Sequence, residues 1–124
     1  MSGPPVHVIS TGTANLASVE AGLSRCGWTP VRVEAVEQIV AAELLVVPGV
    51  GTLAAARQRL ESQGFLEPLG ERLEGRRPTL AICLGLQLLA EGSEESPGDP
   101  GLGILPGRAR RFPESVRVPQ IGWN

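Results

Sequence analysis

The sequence contains no lysine and no tyrosine, and it has only 1 histidine, His7, so all 11 basic residues are arginine. Without lysine there is no Walker-type Gly-Lys, and no Gly-x-Gly-x-x-Gly stretch replaces it, so a phosphate cradle is disfavoured. The missing lysine also fails to match the Lys/Glu enrichment of hyperthermophiles and reads as a genome-composition effect. Cysteine is scarce: Cys26 and Cys83 stand 57 positions apart, which makes neither a metal-ligand spacing nor a disulfide framework and points to a reducing, cytosolic setting. No metal and no cofactor are expected. A net charge of −2 gives no electrostatic reason to expect nucleic acid or an anionic membrane as partner. No apolar run approaches the ~20 residues of a membrane span, and the N-terminus lacks a signal-peptide pattern.

What is present is an ordinary globular composition, 42% hydrophobic and 19% charged over 124 residues. That length suits one domain able to bury roughly two thirds of its surface. The chain is organised around residues 79–89. Thr79-Leu80-Ala81-Ile82 has strand character and runs into Cys83, and residues 84–91 read as a helix. A cysteine at such a junction sits on a sharp strand-to-helix turn, the arrangement in which hydrolases place a nucleophilic serine. Free N–H groups of the helix start lie behind it. Ala81 and Gly85 supply the small neighbours that a crowded turn needs. A buried structural cysteine at a strand end fits the same stretch.

The rest of the chain alternates strands and helices. Residues 6–9 form a first β-rich run, followed by the loop residues Ser10-Thr11-Gly12-Thr13. Asn15 caps a helix with Leu16, Val19, Leu23 and Cys26 at helical spacing, Cys26 on the core face, and Gly27 stops it. Residues 31–33 make a weaker strand and 36–42 a short helix. Leu44-Leu45-Val46-Val47 is a fully apolar run, as in a parallel strand buried on both faces. Pro48-Gly49-Val50-Gly51 breaks it; Thr52 then caps a helix to about residue 63, and a second helix covers 66–74. Such alternation implies a flavodoxin-like, doubly wound α/β fold, a mainly parallel sheet with helices on both faces. Beyond it, residues 91–101 read as a polar loop, and 107–112 and 116–118 as two strands of a hairpin-like excursion. Arg108, Arg110, Arg111 and Arg117 form the basic concentration of the chain, with a solvated strand face as the default reading and a partner or anionic-ligand contact as the other.

Sites in open parallel sheets form outside the carboxyl ends of the strands. The loops at residues 10–13 and 48–51 and the Cys83 turn meet there. The glycines of Pro48-Gly49-Val50-Gly51 allow backbone N–H groups to face a neighbour, and beside Cys83 they would make, with Leu84, an oxyanion hole for acyl transfer. A plain turn after a buried strand fits the loop taken alone.

Together, Pro48-Gly49-Val50-Gly51 and Cys83-Leu84-Gly85-Leu86-Gln87 resemble the class I glutamine amidotransferases. Three features are similar to the glutaminase subunits of imidazole glycerol phosphate synthase. They are the Gly-Val-Gly of that loop, Gly101-Leu102-Gly103-Ile104-Leu105-Pro106-Gly107, and the ending Pro119-x-x-Gly122-Trp123-Asn124. The resemblance implies that residues 1–124 are one incomplete amidotransferase domain. In it, Cys83 attacks the glutamine side-chain amide and forms a glutamyl thioester, a hydrolase step that releases ammonia. Val50, Gly51 and Leu84 would build the oxyanion hole, and Gly49, Gly51 and Gln87 would hold glutamine. Ammonia would pass to a (β/α)8-barrel cyclase, a lyase of histidine biosynthesis, in a cytoplasmic heterodimer, with Gly122, Trp123 and Asn124 near that partner.

Several positions depart from the family. Ala81 stands where glycine is frequent, and Gln120-Ile121 replaces a frequent His-Met. The C-terminal segment that carries a His-x-Glu pair in the family has no counterpart in these residues. His7 lies inside the first strand, some 10 Å from the catalytic edge at ~3.3 Å per residue. The chain alone is therefore expected to be nearly inactive and to self-associate through the sheet surface left open. Two other readings fit the same residues: a glutaminase serving pyridoxal phosphate synthesis, against which Gly-Trp-Asn argues, and a non-catalytic flavodoxin-like subunit with a reactive cysteine.

Overall fold

A computed structural model describes residues 3–12 and 14–123. A four-stranded, all-parallel sheet carries the molecule, with strand order β2-β1-β3-β4. The strands are β1 (Pro5–Val8), β2 (Thr29–Arg32), β3 (Leu45–Gly49) and β4 (Thr79–Cys83). This order matches the start of the flavodoxin-like sheet. Between them run α1 (Leu16–Arg25), α2 (Val36–Ala41), α3 (Leu53–Ser62) and α4 (Leu66–Glu74), and α5 (Leu84–Leu89) follows β4 directly.

Local chemistry sets most of these boundaries. Asn15 Oδ1 accepts from the Ser18 N–H and opens α1, and Gly27, at φ +89°, closes it in the left-handed region that glycine tolerates. Thr52 Oγ1 accepts from Ala55 N–H and opens α3. The pleat of the central strands then splits the core in two. Leu45 and Val47 face the larger cluster with Ile9, Leu53, Leu60, Leu69 and Leu88, while Val6, Val8 and Val46 pack against the α1 residues Leu16, Val19 and Leu23 on the other face. Every residue of β3 is buried, as its unbroken apolar run requires.

Four expectations are corrected. Cys26 is exposed rather than on the core face, because it is the C-cap of α1, where the chain already leaves the helical path. The helix after Cys83 ends at Leu89, short of residue 91. Its terminal carbonyls are taken over by a later loop: the N–H groups of Leu102, Ile104 and Leu105 donate to Leu88, Leu89 and Leu89, and Gly103 to Ala90. Gly101 belongs there for a steric reason, since a Cβ on it would lie 2.0 Å from the Ala90 carbonyl oxygen.

The C-terminal hairpin does not form. Only β6 (Arg108–Ala109) is a strand, and it pairs in parallel with β5 (Gly92–Ser93), inside the stretch read as a polar loop. Residues 116–118 form no strand, and the Val116 N–H turns back to Pro113 O. An isolated two-stranded hairpin is marginal in water, and here Phe112, Val116 and Val118 all stay exposed. The four arginines are all exposed, as the solvated reading has it, but only Arg108 stands on a strand, where it also reaches Ser93 O at 3.5 Å.

Candidate active site

At the carboxyl end of β4, Cys83 adopts φ +55°, ψ −113°. A non-glycine residue there carries strain on the order of 1–3 kcal/mol, a cost that marks functional turns. Its side chain is exposed. Leu84 opens α5 immediately, so its N–H has no acceptor within the helix, while its side chain anchors the turn at 1% exposure.

Two glycines permit this turn. Gly49 is paired in register with Cys83 across β3 and β4, and a Cβ on it would sit 3.0 Å from Thr11 Oγ1 and 3.1 Å from Leu84 Cβ. Gly85 is tighter, because its Cβ would meet the Val47 carbonyl oxygen at 1.8 Å. No side chain fits between α5 and β3 at that point. Thr11, 1% exposed, donates from Oγ1 to Pro48 O at 3.0 Å and braces the loop from below. Beyond it Val50 is half exposed and Gly51 takes φ +91°.

One helical turn past Cys83, Gln87 buries its Oε1 without a hydrogen-bond partner. It lines a groove of about 670 Å³ together with Ser93, Glu94, Glu95, Ala109, Arg110 and Arg111. Glu94 Oε2 already accepts from the Arg111 N–H at 2.8 Å. The Glu95 carboxylate, by contrast, is held by no hydrogen bond or ion pair among the described residues.

The structure thus brings Gly49, Val50, Gly51, Cys83, Leu84 and Gln87 to one end of the sheet. It does not bring the terminal motif there. Gly122 and Trp123 lie in an exposed tail, with Trp123 fully exposed, and Asn124, like Thr13 of the first loop, lies outside the described residues. His7 stays apart as well. It is half-buried in β1 and pairs with Leu45, which in turn pairs with Thr79. Its level is therefore four residues before Cys83, roughly 13 Å along the strands and ~10 Å across them.

Sequence reasoning singled out Arg110 and Arg111 only as part of a basic concentration, and it missed Glu94 and Glu95 as groove residues. The only signal for the two glutamates was a pair of carboxylates directly following the α5 region, in a stretch whose turns and polar residues resemble any solvated loop.

Comparison with known proteins bears on this geometry. No protein-family model matches the chain. The "Imidazole glycerol phosphate synthase subunit HisH" of Desulfitobacterium hafniense is 40% identical over 119 residues, 96% of this chain and 56% of that protein. "Imidazole glycerol phosphate synthase hisHF" of Emericella nidulans is 37% identical over 122 residues, 98% of this chain and 22% of that much longer polypeptide. A solved "glutamine amidotransferase" superposes with a TM-score of 0.65 at 25% identity, covering 81% of this chain and 52% of the other. The chain therefore spans little more than half the length of the HisH relative, and along nearly all of its own length it is a homologue of the HisH subunit of imidazole glycerol phosphate synthase, with the flavodoxin-like fold of glutamine amidotransferases.

Proposed function

We propose that this chain is the cysteine-bearing part of a glutaminase that supplies ammonia for imidazole glycerol phosphate synthesis in histidine biosynthesis. The observation that carries the reading is the strained, exposed Cys83 set beside Gly49 and one turn before a buried, unpartnered Gln87 oxygen. Free glutamine carries an ammonium, a carboxylate and a side-chain amide. The groove offers an unpaired Glu95 for the first and Arg110 and Arg111 for the second, with the Gln87 amide as a further hydrogen-bonding group. Cys83 Sγ then attacks the side-chain carbonyl carbon. A C–S bond forms, the C–N bond breaks, and the departing nitrogen takes a proton to leave as ammonia. Water hydrolyses the thioester to glutamate. The N–H groups of Leu84 and of Val50 and Gly51 stabilise the tetrahedral oxyanion between these steps; Gly49 and Gly51 keep side chains out of the substrate's path.

A chloroketone analogue of glutamine is expected to alkylate Cys83 and leave Cys26 largely unmodified. Both thiols are exposed, so accessibility alone predicts modification of both; only recognition of the glutamyl portion separates them. Peptide mapping checks this, and modification of Cys26 at a rate equal to Cys83 would sink the assignment.

The partner in this reading is a (β/α)8-barrel cyclase subunit, engaged in part through Gly122, Trp123 and Asn124. A fully exposed Trp123 contributes nothing to the core but is the kind of aromatic anchor that interfaces bury. Trp123→Ala is expected to leave the melting temperature of the free chain unchanged and to weaken cyclase binding by about 1–3 kcal/mol in calorimetry. Unchanged affinity would remove Trp123 from the interface. The outer strand β4 also exposes Leu80 and Ile82, an unprotected edge that supports self-association of the isolated chain.

A further inference from the structure

We infer that Ser96 is a positioning residue, fixing the loop that carries Val50 and Gly51 relative to the glutamine groove. The inference rests on the glutaminase reading and deepens it. Ser96 is 5% exposed, and its Oγ accepts from the Ala54 N–H at 3.2 Å, across 42 residues of sequence. That N–H belongs to the first turn of α3, where donors have no acceptor inside the helix. Thr52 serves the neighbouring donor of Ala55 locally. A serine from elsewhere in the chain serves Ala54.

The position of that bond gives it leverage. Between the end of β3 at Gly49 and the start of α3 at Leu53 lie Val50, Gly51 and Thr52. The near end of this short connection is clamped by the pairing of Gly49 with Cys83. The far end is held at Ala54, three residues after Gly51, by its bond to Ser96. A connection that short, fixed at both ends, has few backbone conformations left, so the direction of its N–H groups follows from where Ser96 stands.

Ser96 is itself tied to the groove wall. Its N–H donates to Ser93 O at 3.1 Å and its carbonyl accepts from the Asp99 N–H at 3.0 Å. The Ser93 Oγ accepts from the Glu95 N–H at 3.2 Å. A second tie runs parallel to the first: Arg57 of α3 donates from Nη1 to Pro100 O at 2.8 Å while pairing with Glu61 at 3.0 Å. The segment presenting Glu94 and Glu95 and the helix that begins at the oxyanion loop therefore move as one unit. In an acyl-transfer site such a link matters, because the donors must meet the oxyanion while the groove holds the other end of the substrate.

The test uses the intact chain with Ser96→Ala and Ser96→Thr, following Cys83 alkylation by the chloroketone analogue of glutamine and by iodoacetamide, and amide hydrogen exchange over residues 50–56. Ser96→Ala is expected to lower the limiting rate with the analogue by about tenfold, with its half-saturating concentration within about twofold and the iodoacetamide rate unchanged. Exchange over residues 50–56 is expected to quicken, and Ser96→Thr, which keeps the hydroxyl, to restore both. An unchanged limiting rate alongside faster exchange would reduce Ser96 to a structural cap and overturn the inference. Unchanged exchange would overturn it at its root, whatever the rates. Failure of the analogue to prefer Cys83 in the unmodified chain is the distinct result that overturns the glutaminase reading, and the positioning role of Ser96 with it.

Discussion

Incubated with glutamine, this chain is expected to form glutamate on the order of 10³-fold or more below the full-length HisH of Desulfitobacterium hafniense, even with a cyclase subunit added. A cysteine glutaminase needs a base to generate thiolate and an acid to protonate departing ammonia. His7 is the only imidazole in the sequence, and the pairing of His7 with Leu45 and of Leu45 with Thr79 places it at the wrong depth in the sheet and two strands away from Cys83. In the proposed reading Val50, Gly51 and Leu84 offer donors to an oxyanion, and in other triad enzymes such elements alone retain a modest enhancement over water. A low, Cys83-dependent rate is thus the expected result. Supplying the remaining part of that relative as a separate fragment is expected to raise turnover, most simply by adding an acid–base group next to Cys83 and covering the β4 edge. Fast turnover by this chain alone, abolished by Cys83→Ala, would mean that some other group serves as base and that the role denied to His7 needs revision.

Arg72→Met is expected to cost about 2–3 kcal/mol of folding stability, read as a drop in the urea midpoint at unchanged slope. Arg72 is 4% exposed, the one buried charged side chain among the described residues. Its guanidinium donates from Nη1 to Ile39 O at 3.0 Å and Ala42 O at 2.6 Å, and from Nη2 to Glu43 O at 3.3 Å and Pro78 O at 2.7 Å. Nε reaches Thr79 Oγ1 at 3.1 Å. Burial, and secondarily the nearby Arg77, pull its pKa below the ordinary guanidinium value. The arrangement closes the C-terminal end of α2 and fixes the chain as it enters β4. Methionine would fill much of the space and remove the cost of a buried charge, but it would leave the Ile39 carbonyl inside the protein short of a donor, while the Ala42 carbonyl keeps Arg77 Nη2 at 3.0 Å. An unmet buried polar group costs about 1–3 kcal/mol. Arg72→Lys should recover only part of the loss, because an ammonium cannot reproduce the planar fork that serves several carbonyls at once. A loss below about 1 kcal/mol for Arg72→Met would mean that water reaches these carbonyls in the folded protein.

The residues by themselves determined the parts of this protein whose cause is local. The helix at Leu66–Glu74 matches its expected bounds. Asn15 and Thr52 act as the caps their chemistry implies, the apolar run of β3 is buried throughout, and Cys83 stands strained at a strand-to-helix turn. Each follows from side chains within a few positions of one another: a cap oxygen near its N–H, an apolar period, small neighbours at a tight turn. Tertiary structure alone decided the rest. The polar stretch after α5 became β5 because Arg108 and Ala109 come back to pair with it, and α5 stops early because residues 102–105 satisfy its last carbonyls. Arg72, spaced like any surface arginine, became a core residue only when the carbonyls of residues 39, 42, 43 and 78 converged on it. Ser96 and Glu95 look like loop residues until α3 and α5 are packed, after which one holds a helix start and the other faces a groove. A hydrogen-bond partner 30 or 42 residues away leaves no periodicity and no turn signature in the sequence. Only the folded chain brings the two groups within 3 Å or so of each other.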